Sequence, residues 1–284
     1  MTDIVAGARD ATFTLGDLPV RRLGFGAMRV TGPGIWGAPA DHDEAIAVLR
    51  RAVELGVNLI DTADSYGPAV SEELIAEALH PYPDDVVIAT KGGLTRPGAR
   101  QWHPDGRPEH LRTVCEESLR RLRLEQIPIY QFHRPDPRVP FEDSIGALVE
   151  LQHEGKIRHI GLSNVTVAEL DRALALTPVV SVQNRYSPVD HRSDDVLARC
   201  EADAIGFLPW APLESGGVAE ERALERVAAA HDATSHQIAI AWLLARSPAM
   251  LPIPGTGSVA HLEENMAAAS IVLSADELAA LRPT

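Results

Sequence analysis

The feature that most constrains this chain is a repeated order of segments: a short apolar run, a loop rich in Gly, Pro and Asp, then an amphipathic stretch. The run VNLIDTA leads to SEELIAEALH, DVVIATK to RPEHLRTVCEESLRRL, and IPIYQFH to FEDSIGALVELQHEG. KIRHIGLSN then leads to TVAELDRALAL, VVSVQNRYS to SDDVLARCEAD, AIGFLPWAPL to a helical pair over 219–245, and MLPIPG to SVAHLEENMAAAS. Counting a first run near Leu23 to Ala27 with DHDEAIAVLRRAVELG after it, the unit occurs eight times. Runs such as VVIAT and VVSVQ are apolar throughout, as parallel strands buried on both faces are. Eight such units predict an α/β fold, a (β/α)8 TIM barrel, rather than an open doubly wound sheet. FTLGD and PVRRLGFG ahead of them predict a short N-terminal β-hairpin. No linker or composition break interrupts the series, so 1–284 reads as a single barrel domain.

Composition excludes several classes of function. The net charge of −14 repels nucleic acid and anionic membrane, and the one basic run, Arg120, Arg121 and Arg123, closes a helical pattern and is expected to be a solvated helix end. No stretch approaches the roughly 20 apolar residues that a membrane span needs. Cys115 and Cys200 lie in amphipathic stretches without CxxC spacing, so neither a disulfide framework nor a metal site is expected. MTDIVAGARDATF has no basic segment followed by an apolar one, which makes a cytoplasmic location the expectation.

In a barrel of this type the chemistry gathers where strands end and the following loops begin. Asp61 ends one apolar run with Tyr66 five positions on, Lys91 ends the next, and His133 the one after. Taken singly, each has a structural reading: Asp61 or Asp64 as a turn cap, Lys91 as a solvated strand end, Tyr66 and His133 as rim packing. Together they describe an acid. A phenol with an ordinary pKa near 10 is a poor proton donor at neutral pH, an ammonium beside it stabilises the phenolate, and a buried carboxylate holds the ammonium in place. A neutral imidazole could orient a carbonyl oxygen. Of the 26 basic residues only Lys91 and Lys156 are lysine, so position 91 appears where a compact ammonium is required. The pattern points to reduction of a carbonyl with protonation by Tyr66.

The stretches NLIDTADSYG, IATKGG, YQFHRPD, KIRHIGLSN and VQNRYS, in that order, resemble the aldo-keto reductases, and the resemblance runs from LGFGAM to LEENMAAA. It implies that Asp61, Tyr66, Lys91 and His133 are the catalytic residues and that the activity is NADPH-dependent reduction of aldehydes or ketones. It also implies that Ser163, Asn164 and Gln183 hold the nicotinamide carboxamide, and that Gly26, Ala27 and Met28 border the cofactor. Trp210 stands where relatives often carry a tyrosine that stacks on the nicotinamide; an indole offers the same π face.

GTGSVA imitates a dinucleotide fingerprint, but no βαβ unit follows it; its Gly-rich turn opening a helix instead offers backbone N–H groups to a phosphate. By the resemblance the cofactor also touches Pro212, Leu213, Gly255, Thr256, Gly257, Ser258, His261, Glu264 and Asn265. Where the resemblance places a 2′-phosphate clasp, relatives often carry Lys then Ser, and an Arg further on; this chain has Gly255, Thr256 and His261. An imidazole is charged only below about pH 6.5, so a modest, pH-dependent preference for NADPH, with NAD bound more weakly, is expected. Trp36 and Trp102 follow apolar runs on the same rim and are candidates for the substrate pocket. Two other functions fit the same barrel: a cofactor-binding regulatory subunit without turnover, and an isomerase or aldolase using Lys91 as a Schiff base.

Overall fold

A computed structural model of the chain describes residues 11–210 and 218–281, with the backbone alone at 218–221. An antiparallel hairpin comes first, β1 (Thr12–Leu15) and β2 (Leu18–Arg21), with Thr12 opposite Arg21. Parallel strands β3 (Phe25–Gly26), β4 (Leu59–Asp61) and β5 (Val87–Gly92) follow, and a small ribbon of β6 (Leu94–Thr95) and β7 (His103–Pro104) leaves the end of β5. The curled sheet continues through β8 (Ile127–Phe132), β9 (Ile157–Ser163), β10 (Ser181–Arg185) and β11 (Gly206–Trp210), each parallel to its neighbour. Helices α1 (His42–Glu54), α2 (Val70–Leu79), α3 (Pro108–Leu122), α4 (Phe141–His153), α5 (Val167–Leu174) and α6 (Asp194–Asp203) return the chain between strands. After β11 come α7 (Val218–Ala230), α8 (Ser235–Arg246), α9 (Val259–Ala267) and α10 (Ala275–Ala280). This is the (β/α)8 architecture with its hairpin.

The eighth strand departs from the expected form. MLPIPG lies between β11 and β3 and closes the barrel, but Pro252 and Pro254 have no N–H to give a ladder. Leu251 N–H donates to Phe207 O at 2.8 Å on one side, while Gly24 and Gly26 N–H donate to Pro252 O and Pro254 O at 2.9 and 3.4 Å on the other. The seam is tight. A Cβ on Gly255 would lie 2.3 Å from Gly26 O, and one on Gly26 would lie 2.7 Å from Ile253 O.

Inside the barrel Leu59, Val87, Ala89, Ile129, Leu208 and Leu251 form an apolar layer, and the hairpin presses Leu15 and Val20 onto it from the N-terminal end. That end is plugged, which leaves the ends of the strands facing the opposite rim as the place for a site. Caps set the helix starts: Asp41 accepts from Glu44 N–H at α1, and reciprocal boxes pair Thr166 with Glu169 at α5 and Thr234 with Gln237 at α8. At the end of α3, Arg120 is exposed as expected, but Arg121 is not a solvated residue. It turns inward to Glu72, fully buried on α2, with Nε 2.6 Å from the carboxylate. Cys115 and Cys200 are buried free thiols, and burial pushes both up to about 12. Among the described residues no helix is long and apolar enough to cross a membrane, and no group of His, Cys, Asp and Glu could hold a metal.

The seam gives a direct test. Gly255→Ala should cost about 1–3 kcal/mol through forced backbone displacement, read as a lower urea midpoint. Gly146→Ala in α4, where an added Cβ meets nothing within 4 Å, should leave stability equal or raise it by about 0.5–1 kcal/mol.

Candidate active site

Three strand ends and the loop after β4 build the centre. Lys91, at the end of β5 and wholly buried, donates from Nζ to Asp61 Oδ2 at 2.7 Å, to Thr62 O at 2.8 Å and to the Tyr66 hydroxyl at 3.3 Å. Those three acceptors use all of the ammonium's donors. The other Asp61 oxygen accepts from Gln131 Nε2 at 2.9 Å and Gln183 Nε2 at 2.8 Å. A buried ion pair is tolerable only when its remaining lone pairs and protons are satisfied in this way.

Burial opposes the Lys91 charge, but the Asp61 carboxylate and the Tyr66 oxygen beside it hold its pKa above the ordinary lysine value. Tyr66 is also raised. Burial is the largest cause, and the expected help from the Lys91 ammonium is outweighed by burial together with the charge of Asp61. The phenol is therefore fully protonated at neutral pH, held beside a cation that will stabilise its anion when the proton leaves. His133 packs edge-on to Tyr66 at 5.9 Å between ring centroids. Burial, then the charges of Lys91, Arg134 and Arg96, push its pKa well below 6.5, so the ring is neutral. Ser65 Oγ lies 3.4 Å from Nδ1; with that hydroxyl donating, the ring proton sits on Nε2, the free edge. Asp64, buried beside this group, has its pKa raised well above the ordinary carboxyl value, by burial and then by Glu72.

These groups open into a cavity of about 730 Å3. Its wall contains Asp61, Tyr66 and His133 with Trp102; Ser163, Asn164, Gln183 and Trp210; and Gly26, Met28, Gly255, Thr256, His261, Glu264 and Asn265. Lys91 lies behind the wall and touches the cavity only through Tyr66 and Asp61. Ala27 is buried on the helix side, its carbonyl accepting from Ser71 Oγ at 3.0 Å. Gly257 lies against Arg29 O, where a Cβ would be 2.9 Å away, and neither it nor Ser258 is on the wall. Pro212 and Leu213 lie outside the described residues. Trp36 is 36% exposed and not on the wall; Arg96 separates it from the centre, with its guanidinium carbon 5.6 Å from Trp36 and 3.5 Å from Trp102.

The amide array around Asn164 is already connected. Trp210 Nε1 donates to Asn164 Oδ1 at 3.1 Å, Asn164 Nδ2 donates to Ser163 Oγ at 2.9 Å, and Ser163 Oγ donates to Gln183 O at 2.9 Å. Asn164 sits at φ 59°, a left-handed conformation that asparagine tolerates and that turns its amide across the mouth of the barrel. The glycine-rich turn is less free than its sequence implies. Val259 N–H is taken by Glu44 at 2.9 Å, and Ser258 N–H by Thr256 Oγ1 at 3.1 Å.

Several residues that build the site have no signal in the sequence. Gln131 is hidden inside an apolar run, and only its partner reveals it. Arg29 belongs to the short 3-10 turn after β3 and is exposed on the same cavity as Thr256 and His261, so a permanent cation stands near the place where the sequence offers only histidine. Arg96 donates to Ser65 O, Gln101 O and Gly34 O at 2.9, 2.9 and 3.2 Å, tying together three loops that no spacing rule relates.

Comparison with known proteins gives the same picture. Residues 22–283 match the model of the Aldo/keto reductase family. The chain is 50% identical to an uncharacterized oxidoreductase of Schizosaccharomyces pombe over 98% of its length and 90% of that protein's. It is 45% identical to pyridoxine 4-dehydrogenase of Escherichia coli, covering 95% of this chain and 96% of that one. Among solved structures, an aldo-keto reductase from Klebsiella pneumoniae in complex with NADPH superposes with a TM-score of 0.80 at 28% identity, over 96% of this chain and 94% of the other.

The buried pair predicts unequal losses at the two lysines. Lys91→Met strands the Asp61 carboxylate and should cost about 3–5 kcal/mol, partly recovered in the double variant with Asp61→Asn. Lys156→Met, at a partly exposed pair with Glu116 and Glu154, should cost about 1 kcal/mol or less. Urea denaturation of the four proteins measures this, and equal losses at both lysines would refute the assignment.

Proposed function

Since the chain belongs to the aldo/keto reductase family, an oxidoreductase family, we propose that it is an NADPH-dependent reductase of small aldehydes or ketones, with residues 1–284 acting as one barrel domain. The observation that carries this reading is the buried chain from Asp61 through Lys91 to the Tyr66 hydroxyl, ending at a cavity wall beside a neutral imidazole. The fit to a dinucleotide is physical. The wall lacks side chains at Gly26 and Gly255, offers the Trp210 ring and the amides of Asn164 and Gln183, and brings Arg29, Thr256 and His261 to the far end. NADPH when bound supplies the hydride that reduces the carbonyl carbon.

The residues of the chain do the rest. His133 Nε2–H donates to the carbonyl oxygen and orients it, and Tyr66 delivers its phenolic proton to that oxygen as negative charge develops there. Lys91 stabilises the phenolate left behind, and Asp61 keeps Lys91 fixed and charged. The phenol can give up its proton although its pKa is raised in the resting site, because the alkoxide developing on the carbonyl oxygen is a far stronger base than the phenolate. An isomerase or aldolase that forms a Schiff base at Lys91 is disfavoured, because a fully protonated ammonium with three acceptors has no lone pair to attack a carbonyl.

Tyr66→Phe removes only the hydroxyl. Turnover of NADPH with aldehydes should fall about 10²-fold or more, while NADPH still quenches tryptophan fluorescence with its wild-type affinity. Near-normal kcat would mean that another group protonates the oxygen. The pH profile of kcat/KM should be flat from pH 6.5 to 9: His133, with its pKa lowered, is lost only on acidification below its ordinary range, and Tyr66, with its pKa raised, only above pH 10.

Cofactor preference supplies a second measurement. The ratio of NADH to NADPH dissociation constants in Arg29→Ala should drop several-fold relative to wild type, because only NADPH carries the extra phosphate. In His261→Ala the ratio should drop by a smaller factor. An unchanged ratio in either variant removes that residue from the phosphate site.

A further inference from the structure

The mouth of the barrel holds a second cavity, of about 860 Å3, beside the first. The two share Arg134, Asn164 and Trp210, so these residues form the ridge between them. Arg134 follows His133 directly and is exposed, and it makes no hydrogen bond or ion pair with any described residue. Its neighbours are different. On the second cavity Arg172 is bound by both oxygens of Glu142 at 2.7 Å, and Arg185 and Arg192 each lie 2.8 Å from Asp190. The acids there are engaged as well: Asp136 holds Arg138 at 2.9 Å, and Glu169 caps its own helix. Asp195 accepts Val196 N–H at 2.8 Å.

A second cation stands uncompensated on the other side of the catalytic group. Arg96 is buried, and its donors go to three backbone carbonyls, with no carboxylate partner among the described residues. Lys91 is balanced by Asp61. A chain of net charge −14 thus surrounds the point where its carbonyl substrate would sit with a local excess of positive charge. Pro135, Val139, Phe141 and Val165 give the cavity that Arg134 borders an apolar lining. A guanidinium so placed has two parallel N–H donors for a carboxylate or a phosphate.

We propose that Arg134 is a specificity-determining residue: it receives an anionic group, carboxylate or phosphate, carried by the carbonyl substrate away from its reacting carbon. The inference rests on the carbonyl-reductase reading above. The reacting end lies against Tyr66 and His133, and the anionic end crosses the ridge toward the second cavity. Neutral aldehydes of the same size meet the same acid and the same imidazole, but leave the guanidinium without a partner.

Matched pairs of substrates test this: benzaldehyde against 4-carboxybenzaldehyde, and glyceraldehyde against glyceraldehyde 3-phosphate. In the wild-type enzyme with NADPH, kcat/KM should be at least tenfold higher for the anionic member of one pair; which pair shows the gain separates carboxylate from phosphate. Arg134→Gln should abolish the gain, mainly through KM, and leave the neutral members within twofold of wild type. Arg134→Lys should restore part of it. Equal service of both members by the wild type, or an equal loss on both in the variant, overturns the proposal. Binding of benzoate and benzamide, followed by tryptophan fluorescence, reads the site without turnover. If no aldehyde is reduced yet benzoate binding is weakened at least tenfold in Arg134→Gln, the reductase reading falls and the anion site stands. If aldehydes are reduced with no preference for charge, the reverse holds.

Discussion

The arrangement of the site depends on keeping one ammonium charged where there is no water. Lys91 sits inside a barrel whose next layer down is Leu59, Val87, Ile129 and Leu208, and an isolated cation there would cost several kcal/mol. The strands meet this cost from three directions. β4 brings Asp61, the loop after it brings Thr62 O, and β8 and β10 bring Gln131 and Gln183 to the far side of the carboxylate. Register makes this a property of the whole sheet: Lys91 lies opposite Gln131, and Gln183 opposite Ser163, so a slip of one residue in any of these strands would turn a polar partner out of the interior. The same register delivers the Tyr66 hydroxyl and the His133 ring to one wall, and the site and the barrel are one construction.

The fold was legible because its signal is repetition. Apolar runs alternating with amphipathic ones appear in strand and helix lengths, and the hairpin announces itself with Gly16 and Asp17 between two apolar segments. The seam was harder to read, since MLPIPG has a strand's apolar character but two prolines; what it does instead is lend carbonyls to Gly24 and Gly26. Strand ends identified Asp61, Lys91 and His133 as neighbours, because position along a barrel strand fixes which rim a residue faces. Trp36 shows the limit of that reasoning. It lies in a loop on the proper rim, but a loop is free to fold outward, and Arg96 stands between it and the cavity.

Residues that act through partners distant in sequence were out of reach. Gln131 reads as an interruption of a strand until Asp61 is placed beside it, and Arg121 as a helix end until Glu72 is found underneath. Glu72 also accepts from Thr90 Oγ1 at 2.6 Å, so the outer face of the strand carrying Lys91 is moored to α2 and α3 by a second buried charge. The two sides of β5 are thereby fixed independently, Lys91 inward and Thr90 outward. The loop after β4 gains by this too, since Thr62 and Asp64 N–H donate to Ala89 O and Lys91 O at 2.8 and 3.2 Å.

The closing seam also bears on how such a chain survives its own synthesis. Residues 24–26 emerge early and the segment that completes them lies more than two hundred positions later, so a growing barrel carries two unpaired margins for most of its elongation. Open sheet margins invite pairing with other chains. Here one margin is a strand of only two residues, Phe25 and Gly26, and the segment that will cover it is interrupted by Pro252 and Pro254. Both are poor templates for foreign strands: the short margin while it waits for its partner, and the proline-interrupted segment between its own synthesis and its docking.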